Sequence, residues 1–210
     1  MKIQNFKNNS MGQNTYLYFG TKSGEGVIID AGCSKADIEA ISSFIDENGI
    51  TVKAVLLTHG HYDHIIAADE ICKLTSAPVY SHEAEAYMLE NPDINLSSLR
   101  IKKKLAVIPD KLLRDGDVFQ FADTVLKVLH IPGHTPGGVC YYDEENCNLF
   151  SGDVLFKESI GRTDLPAGNH RELIESITGK IMILPDDTKV YPGHGPCSTI
   201  GHEKERNPFL

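Results

Sequence analysis

The chain has 210 residues, 41% of them hydrophobic and 23% charged, and 20 Lys+Arg against 29 Asp+Glu leave a formal charge of −9. That length suits one domain whose core needs no disulfide or structural metal, and the composition excludes disordered, collagen-like and low-complexity chains. The acidic balance argues against RNA or another polyanion as the main partner, because phosphate binding is driven by Lys and Arg. Residues Met1–Asn9 contain no signal-peptide-like apolar run, and no later stretch offers the roughly 20 uncharged apolar residues of a membrane span. A soluble cytoplasmic protein without a membrane partner is expected. Five scattered cysteines without a C-x-x-C pair suggest buried, reduced thiols rather than a disulfide framework or a thiolate zinc site.

Runs rich in β-branched and aromatic residues predict strands at Asn14–Gly20, Gly26–Ala31, Lys53–Thr58, Pro78–Ser81, Val118–Phe121, Thr124–Ile131, Gly138–Tyr142, Asn148–Ser151 and Lys189–Tyr191. Helical spacing of apolar residues predicts helices over Lys35–Glu47, His64–Thr75 and His170–Ile183. Strands interrupted by helices make a layered α/β protein with mixed sheets. Asn91–Lys104 has no clear period, and its basic run Arg100-Ile101-Lys102-Lys103-Lys104 reads as a solvated face or loop. A lid attracting a substrate carboxylate is the alternative.

The feature that carries chemistry is Thr58-His59-Gly60-His61-Tyr62-Asp63-His64, directly after the apolar Ala54-Val55-Leu56-Leu57. In extended backbone His59 and His61 point to one side, while Asp63 and His64 open the next helix and can face a second point. One short loop can thus serve two metal ions. Imidazole and carboxylate suit zinc, and also iron, manganese, nickel or cobalt. His134 follows another predicted strand in Pro132-Gly133-His134-Thr135-Pro136-Gly137, Asp153 follows a third in Ser151-Gly152-Asp153, and His194 a fourth in Pro192-Gly193-His194-Gly195. If those strand ends converge, all these ligand-type residues meet at one edge of the fold.

H-x-H-x-D-H after a strand, followed in order by G-H-T-P-G, S-G-D and P-G-H-G, resembles the metallo-β-lactamase superfamily over about Asn14 to Glu203. Ser151–Phe156 and Gly161-Arg162-Thr163-Asp164 further resemble its glyoxalase II branch, the hydroxyacylglutathione hydrolases, especially short single-domain members. The resemblance implies a four-layer αββα sandwich with a metal site at one edge of two mixed sheets. It implies two divalent ions, zinc ahead of iron or manganese, with His59, His61 and His134 holding one, Asp63, His64 and His194 the other, and Asp153 bridging. Asp63 and Asp153 would be the catalytic carboxylates around an acidified water that attacks the carbonyl of an S-acyl thioester such as S-lactoylglutathione. A small-molecule thioester is then the partner of a monomer or homodimer, with no nucleic acid.

Arg162 stands where the glyoxalase II pattern has a lysine that contacts glutathione, so it is a candidate for a substrate carboxylate. Little chain follows His194, whereas full glyoxalase II carries a helical C-terminal domain with much of its glutathione contact, so one domain over 1–210 without that addition is expected. Cys33 and Cys197 match no ligand of the family. His82, His130, His170 and His202 read as structural or surface residues, with His130 close enough in sequence to His134 to support it. The main alternative activity is a mononuclear-iron persulfide dioxygenase using His59, His134 and Asp153. A non-catalytic metal-binding module and a nuclease of the same superfamily are more distant.

Overall fold

The computed structural model describes residues 1–8, 10–101 and 103–210. The first half contains β1 (Lys2–Lys7), β2 (Asn14–Phe19), β3 (Glu25–Ile29), α1 (Lys35–Asn48), β4 (Thr51–Leu56), α2 (Tyr62–Ile65), α3 (Ala68–Thr75), β5 (Val79–His82), α4 (Ala86–Glu90), α5 (Ser97–Arg100) and β6 (Lys111–Leu113). The second half contains β7 (Val118–Phe121), β8 (Thr124–His130), β9 (Val139–Asp143), β10 (Asn148–Gly152), the short hairpin of β11 (Leu155–Phe156) and β12 (Ser159–Ile160), α6 (His170–Ser176), β13 (Lys189–Pro192), β14 (Ser198–Thr199) and α7 (Ile200–Arg206). Two six-stranded sheets result, ordered β1-β2-β3-β4-β5-β6 and β14-β13-β10-β9-β8-β7. Both are mixed, as expected.

Strand alternation sorts the apolar side chains into three layers. Leu17 and Phe19 of β2, Val55 of β4 and Leu57 just past it face a helix layer that includes Ile41 of α1 and Ile71 of α3. Tyr16, Tyr18, Ala54 and Leu56 face the opposite way, against Leu126, Val128, Tyr141 and Phe150 of the second sheet. That sheet's outer face, with Leu129, Cys140, Tyr142 and Leu149, packs on Leu173, Ile177, Ile181 and Ile200. The order is helix, sheet, sheet, helix.

Strand direction positions the site. β9 is antiparallel to both β8 and β10, and β10 pairs with β13 in parallel, so β8, β10 and β13 all end at one edge. The Val139 N–H donates to Thr58 O at 2.9 Å and the Tyr141 hydroxyl to Leu57 O at 2.8 Å, which brings the end of β4 to the same edge from the other sheet.

Two predicted helices differ from expectation. The one over His64–Thr75 is broken between α2 and α3, because the loop after β3 takes over its backbone bonds: Ala31 N–H donates to His64 O at 2.7 Å and Ala67 N–H to Ala31 O at 2.9 Å. The one over His170–Ile183 passes from α6 into a π-helical turn, Ile177–Ile181. β1, β6, β11, β12, β14, α4, α5 and α7 were not anticipated. β1 and β6 are edge strands and β11, β12 and β14 are two residues each, too little for an alternating pattern to show. Arg100, Lys103 and Lys104 of the basic run are exposed, and Lys102 lies outside the described residues. Cys33 and Cys140 are buried thiols as expected, but Cys72 and Cys147 are only partly buried and Cys197 is exposed. Among the described residues no helix is long and apolar enough to cross a membrane.

Ile41 is the fully buried residue by which α1 grips the first sheet. Replacing it by Ala should cost about 2–5 kcal/mol. The urea midpoint should drop at unchanged slope, while Glu39→Ala on the exposed face of α1 should leave it within about 0.5 kcal/mol.

Candidate metal centre

At the shared edge, ligand-type atoms of His59, His61 and His134 lie within 4.8 Å of one another, as do those of Asp63, His64 and His194, and those of His59, His64 and Asp153. His61 Nδ1 is 3.0 Å from His134 Nε2, and His64 Nε2 is 3.2 Å from His194 Nε2. Asp153 spans the two sets, with Oδ1 3.3 Å from His64 Nε2 and Oδ2 3.8 Å from His134 Nε2 and 3.7 Å from His194 Nε2. Asp63 Oδ2 lies 3.3 Å from His194 Nε2. All seven residues grouped by strand-end position therefore meet.

Local folding explains the placement. His59 and His61 sit in the irregular turn after β4, His61 being the residue that precedes α2, and the single turn of α2 swings Asp63 and His64 round to the second set. Asp153 follows β10 directly, past a register shift in its pairing with β13 between Phe150 and Gly152. Such shifts re-aim the side chains beside them. At Gly193 a Cβ would lie 2.3 Å from Asp153 Oδ1 and 2.6 Å from His64 Cε1, so only glycine leaves room for the cluster.

For three of the rings a hydrogen bond on the far side decides which nitrogen faces the cluster. His134 Nδ1–H donates to Arg162 O at 2.7 Å, which leaves Nε2 with its lone pair. His64 Nδ1–H donates to Asp30 Oδ2 at 2.8 Å. The Thr58 hydroxyl gives its proton to Asp30 Oδ2 at 2.8 Å and so accepts from His59 Nδ1–H at 3.1 Å. His59 Nε2, His61 Nε2 and Asp153 Oδ1 are buried without a hydrogen-bond partner. Buried polar atoms are rarely left so unless something else occupies their lone pairs. Convergent bare nitrogens around a carboxylate fit divalent cations, and the cluster is suited to binding metal ions.

Electrostatics agree. Burial pushes His59 well below the ordinary imidazole value, with the neighbouring rings adding to it, and takes His61 down to about 3. His134 is lowered by burial as well, against the opposing pull of Asp153. These three rings are neutral at pH 7 and able to coordinate. Burial also depresses His64, but the Asp153 and Asp30 carboxylates outweigh it and raise that ring well above its usual value. For Asp153, burial acts upward and is overridden by the charge of the neighbouring His64, which holds it below the usual carboxylate range. Asp63 is likewise lowered, the bond from His194 and the charge of His64 overcoming burial.

Asp30 escaped the sequence reading, because one aspartate after a strand carries no spacing signal. It is buried, has φ +60, and binds Thr58 N–H at 2.7 Å as well as the Thr58 hydroxyl and His64. Arg162 reaches the cluster through its backbone carbonyl only. Its guanidinium is gripped by Asp164 at 2.7 and 2.8 Å and is half exposed, so a substrate carboxylate would have to displace or share Asp164. His130 stacks on His82 at 4.0 Å and bonds Pro136 O at 2.9 Å, touching the His134 loop but no ligand. His202 pairs with Glu158 and His170 is exposed at the start of α6.

This fold and cluster define a class. The family model of the metallo-beta-lactamase superfamily matches residues 9–194, and the chain belongs to that superfamily. The hydroxyacylglutathione hydrolase GloC of Haemophilus influenzae is 36% identical over 185 residues, covering 87% of this chain and 86% of the relative. The crystal structure of BLEG-1 B3 metallo-beta-lactamase superposes with a TM-score of 0.92 at 40% identity over 100% of this chain and 99% of that one. TTHA1623 in a di-iron-bound form superposes with a TM-score of 0.84 at 33% identity over 99% and 100%. The αββα architecture is thus the metallo-β-lactamase fold, in a superfamily of metallo-hydrolases.

Replacing Asp30 by Ala removes the acceptor that fixes His64 and Thr58. Metal affinity of chelator-stripped protein should fall ~10–100-fold, read by competition with a chromophoric chelator.

Proposed function

We propose that the chain is a dinuclear-metal hydrolase of glyoxalase II type, cleaving an S-acyl thioester to a hydroxy acid and a free thiol. The observation that carries the dinuclear reading is the position of Asp153 between two complete ligand sets, one oxygen toward His64 and the other toward His134 and His194. The thioester reading is supported by the similarity to GloC along most of the chain.

In this reading His59, His61 and His134 hold one divalent ion and Asp63, His64 and His194 a second, with Asp153 shared. A bound pair of such ions supplies an acidified water at neutral pH and positive charge for the developing oxyanion. The protein's own part is orientation and exclusion. Asp30, Thr58 and the Arg162 carbonyl keep the ring nitrogens aimed inward, and the buried rings, 2–4% exposed for His59, His61 and His134, keep solvent from competing for them. With Asp153 shared, the second set carries one carboxylate of its own, Asp63, while the first adds only imidazole nitrogen. An ion held by the first set would therefore keep more of its positive charge and be the stronger Lewis acid toward a carbonyl oxygen. Zinc suits this donor set, and iron competes with it in view of the di-iron-bound TTHA1623 structure.

The test is elemental analysis of protein purified without chelator, together with a free-thiol assay on S-lactoylglutathione. About two metals per chain and thiol release are expected. Asp153→Ala should lower the rate at least ~100-fold, beyond the ~10–100-fold that loss of an outer partner costs. One iron per chain with oxygen uptake on a persulfide would replace the hydrolase reading by the dioxygenase. Cleavage of a chromogenic β-lactam without thiol release would move the substrate toward that of BLEG-1.

A further inference from the structure

Glu85 is fully buried, with no Lys, Arg or His ion pair among the described residues, yet it lies at the ligand edge. It follows β5, which runs parallel to β4, so both strands open on the same side. Its two oxygens do different jobs: Oε1 accepts Gly60 N–H at 2.8 Å and Oε2 accepts Gly137 N–H at 2.6 Å. Gly60 lies between His59 and His61, and Gly137 closes the tight turn begun at His134. Both partners are glycines for a reason of space. A Cβ at Gly60 would sit 3.3 Å from Oε1, and one at Gly137 would sit 2.7 Å from Oε2 and 2.4 Å from the Glu85 nitrogen.

We propose that Glu85 is a positioning residue for the first ion, a carboxylate clamp that sets the separation of the two loops carrying His59, His61 and His134. A buried carboxylate without a counter-cation is costly, and it is retained here with each oxygen spent on a different ligand loop. Burial pushes its carboxyl up to about 7, with the Gly60 and Gly137 N–H groups acting against that rise. No such link runs from Glu85 to Asp63, His64 or His194, so its effect is confined to one of the two sets. A carboxamide in its place has one acceptor oxygen and one amino group, so it can satisfy one N–H and opposes the other. One loop then loses its tether.

The inference rests on the metal-binding reading but not on the thioester. Its experiment is cobalt(II) titration of chelator-stripped protein, followed by visible absorption and by competition with a chromophoric chelator, for the wild-type chain and for Glu85→Gln and Glu85→Asp. Wild type should take up two ions per chain. In each variant one uptake step should weaken ~10–100-fold, with a changed cobalt spectrum for that ion, while the other step and the melting temperature of the metal-free chain stay close to wild type. Wild-type affinity at both steps in a folded variant would overturn the proposal, and so would equal weakening of both steps with a large loss of melting temperature, the mark of a general structural role. Should neither variant fold, amide exchange on the zinc-loaded wild type decides: Gly60 and Gly137 N–H should be strongly protected, and rapid exchange of either overturns the clamp. No uptake by the wild-type chain would overturn this proposal together with the reading on which it rests.

Discussion

Five imidazole rings crowded round two carboxylates, with ring nitrogens 3.0 and 3.2 Å apart, are an arrangement that has to be held together from outside. The rest of the molecule can be understood as holding it in place. Every ring that is fixed is fixed from outside, by Asp30, Thr58 or the Arg162 carbonyl, and the loops that bear these rings follow β4 and β8, whose side chains toward the core are buried. Three apolar layers, rather than any contact within the cluster, supply the free energy that keeps the rings crowded.

That division of labour separates the scaffold from whatever the cluster acts on. The likeness to BLEG-1 B3 metallo-beta-lactamase and to the hydroxyacylglutathione hydrolase GloC extends in each case across most of this chain. On a scaffold that hosts several chemistries, specificity is set by what borders the site rather than by the fold. Gln13, which pairs by its backbone with His194, Phe156, whose ring lies 6.5 Å from that of His194, and the segment around Asn95, whose carbonyl accepts Tyr62 N–H at 2.9 Å, border the second set.

Much of the architecture was legible in the sequence, because its central strands are continuous apolar runs punctuated by glycine and proline, and because the ligand-type residues stand just past them. What the sequence hid was of two kinds. Elements that carry little burial, such as β1 with its polar alternation or the two-residue β14, leave no period to detect. Lone residues that act across the fold, Asp30 reaching His64 over a separation of 34 positions and Glu85 reaching Gly137 over 52, have no local signature at all. The broken helix at Ile66 belongs to the second kind, since the bonds that interrupt it come from Ala31. For Arg162 the residue was noticed for its guanidinium, while the contact it makes with the cluster comes from its carbonyl, a group every residue shares.

The common direction of β8, β10 and β13 divides the molecule into two poles with unequal freedom. One pole bears all the ligand-type side chains. The other carries only connections: the turn at 20–24 before β3, the turn Ala122–Asp123 before β8, and the exposed Glu144–Asn146 between β9 and β10. Mutational drift, inserted segments and attached labels can accumulate at that second pole without disturbing a single ring. A lineage built on this scaffold can therefore change its attachments on one side while its chemistry is kept intact on the other.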